Sequence, residues 1–421
     1  MTNKEITNAY YGTDQVEKIY LGSDVVWPAG SPSHDYSKDY LTFEITSPGN
    51  IVWAYSGSTD SGAVRTIEYS KNGGEWVSIT SNSGSAGPSF SVTTGDMVRF
   101  RGDNRAYGTT SRYSCFWQST CGFKLKGNIM SLIDSTGFTT ATTLQTGSAG
   151  NVNVYTFLGL FRGCTGLTDA SDCVLPATSI ACQGAYRQLF QECTNLVYPP
   201  RTLPATSYSG VCSYCYNAMF RDCTSLISAP EFSFATLASG TVVTSCYANM
   251  FNGCTSLETA PELPLERPDN STNTQNIYNG MFQGCTSLIN APSVLPITTL
   301  MSGEYSNMFA GCTSLQKSPK ILATSIPGNS AANMFSGCTS LNEVFCMATG
   351  VASTSQSWLS GVSSNGTFYK GPNATIGGSG IVGIPTTWYI KNYYEDCWNN
   401  WQEEGYMDYD SCKCMKHMDC S

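Results

Sequence analysis

Apolar positions along the chain follow two different rhythms. Between residues 35 and 127 they alternate. Residues 40–45 set Leu41, Phe43 and Ile45 against Tyr40, Thr42 and Glu44, and residues 64–69, 76–79, 90–93 and 97–101 keep the same period of two. That alternation predicts half-buried strands, and Lys71-Asn72-Gly73-Gly74-Glu75 between two of them predicts a hairpin turn. Several short strands at this spacing predict an all-β, sandwich-like domain over residues 31–127. From residue 128 the rhythm changes to a long internal repeat. Seven times the chain spells a version of Met-Phe-x-Gly-Cys-Thr-Ser-Leu, with phenylalanine at 161, 190, 220, 251, 282, 309 and 335. Cysteine follows each phenylalanine by three residues, threonine comes next, and leucine stands two further on. Periods of about 20–50 residues indicate a solenoid, in which each unit buries its apolar face against its neighbours.

Within one unit, Tyr216, Met219, Phe220 and Cys223 are spaced like one face of a helix. Gly253, Gly284, Gly311 and Gly337 close the segment, where positive φ ends a helical turn. An extended stretch follows, broken by Pro230, Pro261, Pro292 and Pro319, so its parallel strands must be short. Leu-Pro-Ala-Thr at 175–178 and 203–206 leads back to the next unit. The expected fold is therefore a mixed α/β repeat solenoid, leucine-rich-repeat-like, with short strands and helical turns over residues 128–365, a cap at 366–391, and the all-β domain in front. The seven repeat cysteines are expected to form a buried column of small apolar side chains.

The flanks differ from both. In the first thirty residues Tyr10-Tyr11-Gly12-Thr13-Asp14 is echoed by Tyr20-Leu21-Gly22-Ser23-Asp24, which predicts two small hairpins, too short to hold a core alone. The tail, 392–421, mixes tyrosine and tryptophan with carboxylates and ends in Cys412, Cys414, His417 and Cys420. Four potential ligands within nine residues invite a zinc reading. The spacing is tighter than common zinc modules, and a cysteine-rich terminus packed on the last coil is the competing reading.

Composition narrows the chemistry. Of 421 residues only 22 are Lys or Arg and 31 are Asp or Glu, for a net charge of −9. So few cations argue against a nucleic-acid surface. Two histidines, His34 and His417, leave little room for histidine catalysis or histidine metal sites. Nineteen cysteines is an odd number, so complete internal pairing is excluded. No apolar run reaches the length of a membrane span, and the first thirty residues lack a secretory apolar core. Glycoside cleavage needs two carboxylates at a set separation. Glu231 and Glu262 occupy equivalent repeat positions rather than one cleft, with Asp222 the remaining candidate, so no enzyme and no cofactor is expected.

The unit Met250-Phe251-Asn252-Gly253-Cys254-Thr255-Ser256-Leu257 and its six counterparts resemble the BspA-like leucine-rich repeats, in the variant found in gut Bacteroidales and their crAss-like phages. Members of that family are mostly adhesins and binding proteins, which implies a curved solenoid and no shared catalytic residues. The segment from Lys18 to Pro28 resembles N-terminal attachment segments of phage virion proteins. Together these resemblances imply a virion protein (fibre, appendage or capsid decoration) assembled in the host cytoplasm. Its N-terminus would bind other virion proteins through Tyr10, Tyr11, Tyr20, Leu21, Val26 and Trp27, and its repeats would bind a host-surface glycan or protein. A bacterial cell-surface adhesin is the alternative, and a homo-oligomer is left open. The residues expected to bind are those after each repeat phenylalanine (Arg162, Gln191, Arg221, Asn252, Gln283) and those of the longest insertion, 265–276, with Arg267, Asp269 and Asn270. Trp53, Tyr55, Trp76, Tyr107 and Trp117 are either a sugar-stacking platform or core aromatics.

Overall fold

The computed structural model describes residues 34–56, 64–81, 87–109, 112–144, 155–208, 212–233, 244–263, 275–352, 357–377 and 381–393, and the backbone of seven further short strands. The chain divides into two compact units, Met1–Tyr36 and Ser37–Ser421. In the first, Tyr10–Tyr11 pairs antiparallel with Asp14–Gln15, and Ile19–Leu21 pairs with Asp24–Trp27. These are the two hairpins the echoed sequence predicts.

In the second unit the alternating segments form strands. One six-stranded sheet has the order Leu167–Val174, Gly122–Asn128, Leu41–Ser47, Met97–Arg101, Thr66–Lys71, Val77–Thr80. The hairpin between its last two strands turns through Asn72 and Gly73, at φ of 53° and 76°. The remaining strands of this region pair in one set of three and one of two. Leu41, Phe43, Val98, Phe100, Phe123 and Leu125 are buried on one face, as the period-two pattern requires.

The sheet does not stop at the repeat. Its strand Gly122–Asn128 pairs in parallel with Leu167–Val174, which belongs to the first coil. Phe116 stacks on Phe161 at 5.8 Å between ring centroids, so one apolar core runs from the sheet into the solenoid.

The repeat segments are not helices, which corrects the mixed α/β expectation. The helices among the described residues are short 3-10 turns such as Tyr36–Lys38, Ile129–Leu132 and Phe138–Thr140. The segment read as a helical face is a ribbon of overlapping turns. In the second coil, the amides of Arg187, Leu189, Gln191 and Cys193 donate to carbonyls three residues back, at 3.1–3.2 Å. The alternate amides, of Gly184, Tyr186, Gln188, Phe190 and Glu192, donate instead to Ser213, Cys215, Asn217, Met219 and Arg221 of the next coil, at 2.8–2.9 Å. Every second amide thus closes a turn and the others bind neighbouring coils, so the backbone is satisfied without a helix. Alternate turns carry a left-handed residue at their third position. These recur every four residues: Gln188 and Glu192, Ala218 and Asp222, Asn249 and Gly253, Gly280 and Gly284, Asn307 and Gly311, Asn333 and Gly337.

A four-residue period puts Tyr216, Met219, Phe220 and Cys223 on the inner side, and all four are buried. Stacked coils turn these positions into columns. Phenylalanine rings stack from Phe161 to Phe335 with centroids 5.3–5.6 Å apart and planes within 15°. A second column runs through Phe157, Tyr186, Tyr216, Tyr247, Tyr278 and Tyr305. The repeat cysteines, Cys164 to Cys338, are buried and outside any disulfide. Each thiol from Cys193 onward donates to the carbonyl of a phenylalanine on a preceding coil, as Cys254 does to Phe220 at 3.1 Å. Burial pushes these thiols up, Cys285 and Cys338 to about 12.

The prolines keep the outer strands short, and Thr202–Leu203 and Glu231–Phe232 hold two residues each. At Pro319 the strand Lys317–Ile321 shifts register against Glu343–Cys346. A parallel five-stranded sheet ends the array, with Thr367–Lys370 next to last and Tyr389–Asn392 at the edge. The last of these begins later than the pattern over 384–390 predicts.

Candidate functional site

The columns fill the core, and the outward side of the turn ribbon is one surface that carries a run of polar side chains. The residue after each repeat phenylalanine lies there, and the backbone sets these residues in one line. The carbonyl of Gln191 accepts the amide of Gly163, Arg221 that of Glu192, Asn252 that of Asp222, and Gln283 that of Gly253, all at 2.7–2.8 Å. Arg162, Gln191, Arg221, Asn252 and Gln283 therefore form a continuous strip across five coils. Beyond Gln283 the same position holds Ala310, Ser336 and Ser360. The strip is charged at its start, amide-bearing in the middle and small at its end.

Neighbouring strip residues touch. The Arg162 guanidinium donates to Glu192 Oε1 at 2.8 Å and to the Tyr113 hydroxyl at 3.2 Å. Burial opposes the charge on Arg162, but Glu192 and Tyr113 outweigh it and its pKa is raised. Gln191 Nε2 donates to the same Glu192 oxygen at 2.9 Å. Arg221 Nε lies 3.3 Å from Asp222 Oδ2. Further along, Asn252 Nδ2 donates to Asn249 Oδ1 at 3.2 Å and Gln283 Oε1 at 3.1 Å. Four of the five predicted residues reach solvent, whereas Gln191 is only 3% exposed.

Sequence reasoning missed Glu192 and Tyr113. The signal for Glu192 is its place: it stands where most coils carry the repeat glycine. Asp222 stands in the same place; read from sequence as a cleavage candidate, it is here an ion-pair partner. Asp222 leans over the next coil, and a side chain on Gly253 would begin 2.5 Å from its Oδ1. Of the candidate aromatics, Trp53, Tyr55 and Tyr107 are core, Trp76 is half-buried under the Arg101 guanidinium at 4.2 Å, and Trp117 is 47% exposed. Glu231 and Glu262 fall in separate coils on the strand side, and Glu262 accepts from Ser293 of the following coil.

Arg267, Asp269 and Asn270 lie outside the described residues, as do Cys412, Cys414, His417 and Cys420. Of Tyr10, Tyr11, Tyr20, Leu21, Val26 and Trp27 the strand backbone alone is described. Among the described residues no group of three or more His, Cys, Asp or Glu is placed to hold a metal ion. No helix among them is long and apolar enough to cross a membrane.

No family model matches the chain, and no curated protein is similar to it. Among solved structures, a leucine-rich repeat protein from Bacteroides ovatus ATCC 8483 is similar at 14% identity, with 64% of this chain and 86% of that chain covered and a TM-score of 0.15. At that score the likeness is weak, and the solenoid assignment rests on the coil-to-coil hydrogen bonds and ring columns described above.

Proposed function

We propose that this chain is a structural protein of a bacteriophage particle (a fibre, appendage or capsid decoration) that displays its solenoid to bind a glycan or protein on the host surface. The observation that carries the binding part is the strip: polar side chains held at coil spacing on a rigid, fully packed ribbon. Rigid presentation lowers the entropy that binding must overcome, and repetition adds avidity. The virion part rests on the resemblance of the segment from Lys18 to Pro28 to phage attachment segments, with other virion proteins as its partners there. Disulfide-free packing of the buried cysteines supports assembly in a reducing host cytoplasm.

The reading is of a binder rather than an enzyme. Glu192 and Asp222 each face an arginine. Glycoside cleavage requires two carboxyl groups facing the scissile bond at a set separation, and these two are each engaged by a guanidinium. Mass spectrometry of purified phage particles should detect the chain as a component, and soluble chain should compete with particles for host cells. Detection in a bacterial envelope fraction and in no particle would replace this reading with the surface adhesin.

A further inference from the structure

The strip departs from its own repeat at one place, and the departure is costly. The third left-handed position of the ribbon is glycine at 163, 253, 284, 311, 337 and 361, with φ between 69° and 77°. In two adjacent coils it is Glu192 at φ 63° and Asp222 at φ 61°. An L side chain in that conformation costs about 1–2 kcal/mol. Both side chains point away from the core, so packing does not require them. Left-handed residues other than glycine also stand at Gln188, Tyr214 and Ala218 in these coils, so what sets Glu192 and Asp222 apart is that each adds a carboxylate paired with a strip arginine.

Three other features lie on these two coils and on the coil before them. Trp117 stands at the head of the strip, its Cβ 3.9 Å from where a side chain on Gly163 would begin, and it is 47% exposed. Arg162 and Arg221 hold the two carboxylates at 2.8 and 3.3 Å. Gln191 lies beneath them, buried, its amide nitrogen on Glu192 and its Oε1 without a hydrogen-bond partner. A buried acceptor left unpaired is an expense of about 1–3 kcal/mol that a donor would remove.

We infer that Trp117, Arg162, Gln191, Glu192, Arg221 and Asp222 form a subsite for a neutral, hexose-containing glycan. The inference rests on the binding-strip reading and names its ligand class. An exposed indole offers a flat apolar face to the C–H side of a pyranose. Planar carboxylate, amide and guanidinium groups present paired acceptors and donors at the spacing of vicinal hydroxyls. The two arginines and two carboxylates cancel, and the chain's net charge of −9 disfavours acidic sugars.

The test is a glycan array carrying neutral, sialylated and uronic-acid oligosaccharides, followed by calorimetric titration of the best-retained neutral glycan. Wild-type chain should retain neutral hexose-containing glycans. Trp117→Ala should weaken binding tenfold or more. The double variant Glu192→Gly/Asp222→Gly should weaken it comparably while unfolding at higher urea, because it restores the repeat's own glycines. Retention of acidic glycans alone, of none, or undiminished binding by both variants would overturn the subsite. Host-cell attachment measured in parallel separates the two levels. Attachment that both variants keep overturns the subsite and leaves the strip reading standing; no attachment by wild type removes that reading too.

Discussion

The two ends of the solenoid are finished in different ways. At the N-terminal end the first coil is sealed by sequence of another kind: the strand Gly122–Asn128 continues its sheet, and Phe43, Phe116 and Phe161 join into one aromatic cluster. At the C-terminal end the columns stop. Phe335 meets Trp358 at a 54° tilt instead of a parallel ring, and the last described strand, Tyr389–Asn392, exposes Tyr389 at 76% and Ile390 at 43%. The repeat supplies cohesion between neighbours and contains nothing that ends a stack. Termination has to come from residues outside the repeat: at this end Trp358 and Phe368 cover the ring column, while among the described residues the sheet edge stays exposed.

If that contrast is right, alkaline pH should expose it most strongly. Burial raises Cys121 and Cys182 to about 11 and Cys285, Cys338 and Cys346 to about 12. The folded state therefore holds protons that the unfolded chain releases above about pH 8.5. Stability contributed by each thiol is complete below that value and is lost as pH rises toward its folded value, at up to about 1.4 kcal/mol per pH unit. The array should unfold globally as pH climbs past 10. Pulsed alkylation during the rise should label Cys338 and Cys346 before Cys164 and Cys193. Simultaneous labelling would mean that the open end is no weaker than the sealed one.

Ring deletions come next. Phe220→Ala, in mid-column, should cost about 3–5 kcal/mol in urea unfolding. Phe116→Ala, at the joint, should cost a similar amount and shift the same single transition, because sheet and solenoid share a core. Two separate transitions, with Phe116→Ala moving one of them, would split the molecule where we describe continuity.

Glycine substitutions give smaller and graded effects. Gly284→Ala, at φ 75° with the nearest atom 3.8 Å from the new Cβ, should cost about 1 kcal/mol. Gly253→Ala, at φ 76°, meets Asp222 Oδ1 as well and should cost more. Equal costs would mean that Asp222 moves aside freely and is not held over the next coil. Smallest of all, Ile390→Lys at the open edge should leave stability within about 0.5 kcal/mol and reduce self-association on light scattering.

Much of this was legible in the sequence, for a physical reason. A stacking rule acts on the same position of every coil, so Phe, Cys and Leu recur where the core demands them, and the exposed Thr recurs where its hydroxyl donates to the preceding coil. Strands at Leu41–Ser47, Thr66–Lys71 and Met97–Arg101 followed from alternation alone. The turn ribbon was not legible, because over eight residues a period of 4 and one of 3.6 select the same apolar positions: Tyr216, Met219, Phe220 and Cys223 satisfy both. The discriminating signal lay on the other side. Asn249 and Gly253, Gly280 and Gly284, Asn307 and Gly311 recur every four residues, a spacing that would cost a helix about 1 kcal/mol per glycine and that a left-handed turn position favours. The strip was legible as a variable position, but Glu192 was not, since one carboxylate replacing a glycine reads as ordinary drift until its φ is known. Trp117 could not be told from Trp53 or Tyr107, because exposure depends on the joint between sheet and first coil and not on local pattern.

The turn ribbon also bears on how such a chain can change over generations. Repeat phenylalanines are 26 to 31 residues apart, yet the ring spacing between coils stays at 5.3–5.6 Å. All the variation in length is absorbed by the outer arms, while the ribbon keeps its four-residue beat. Unequal recombination between two copies of the gene could therefore insert or delete a whole coil without disturbing its neighbours. Reach would then be a heritable quantity, adjusted in increments of about one ring spacing, independently of the residues that decide what is gripped.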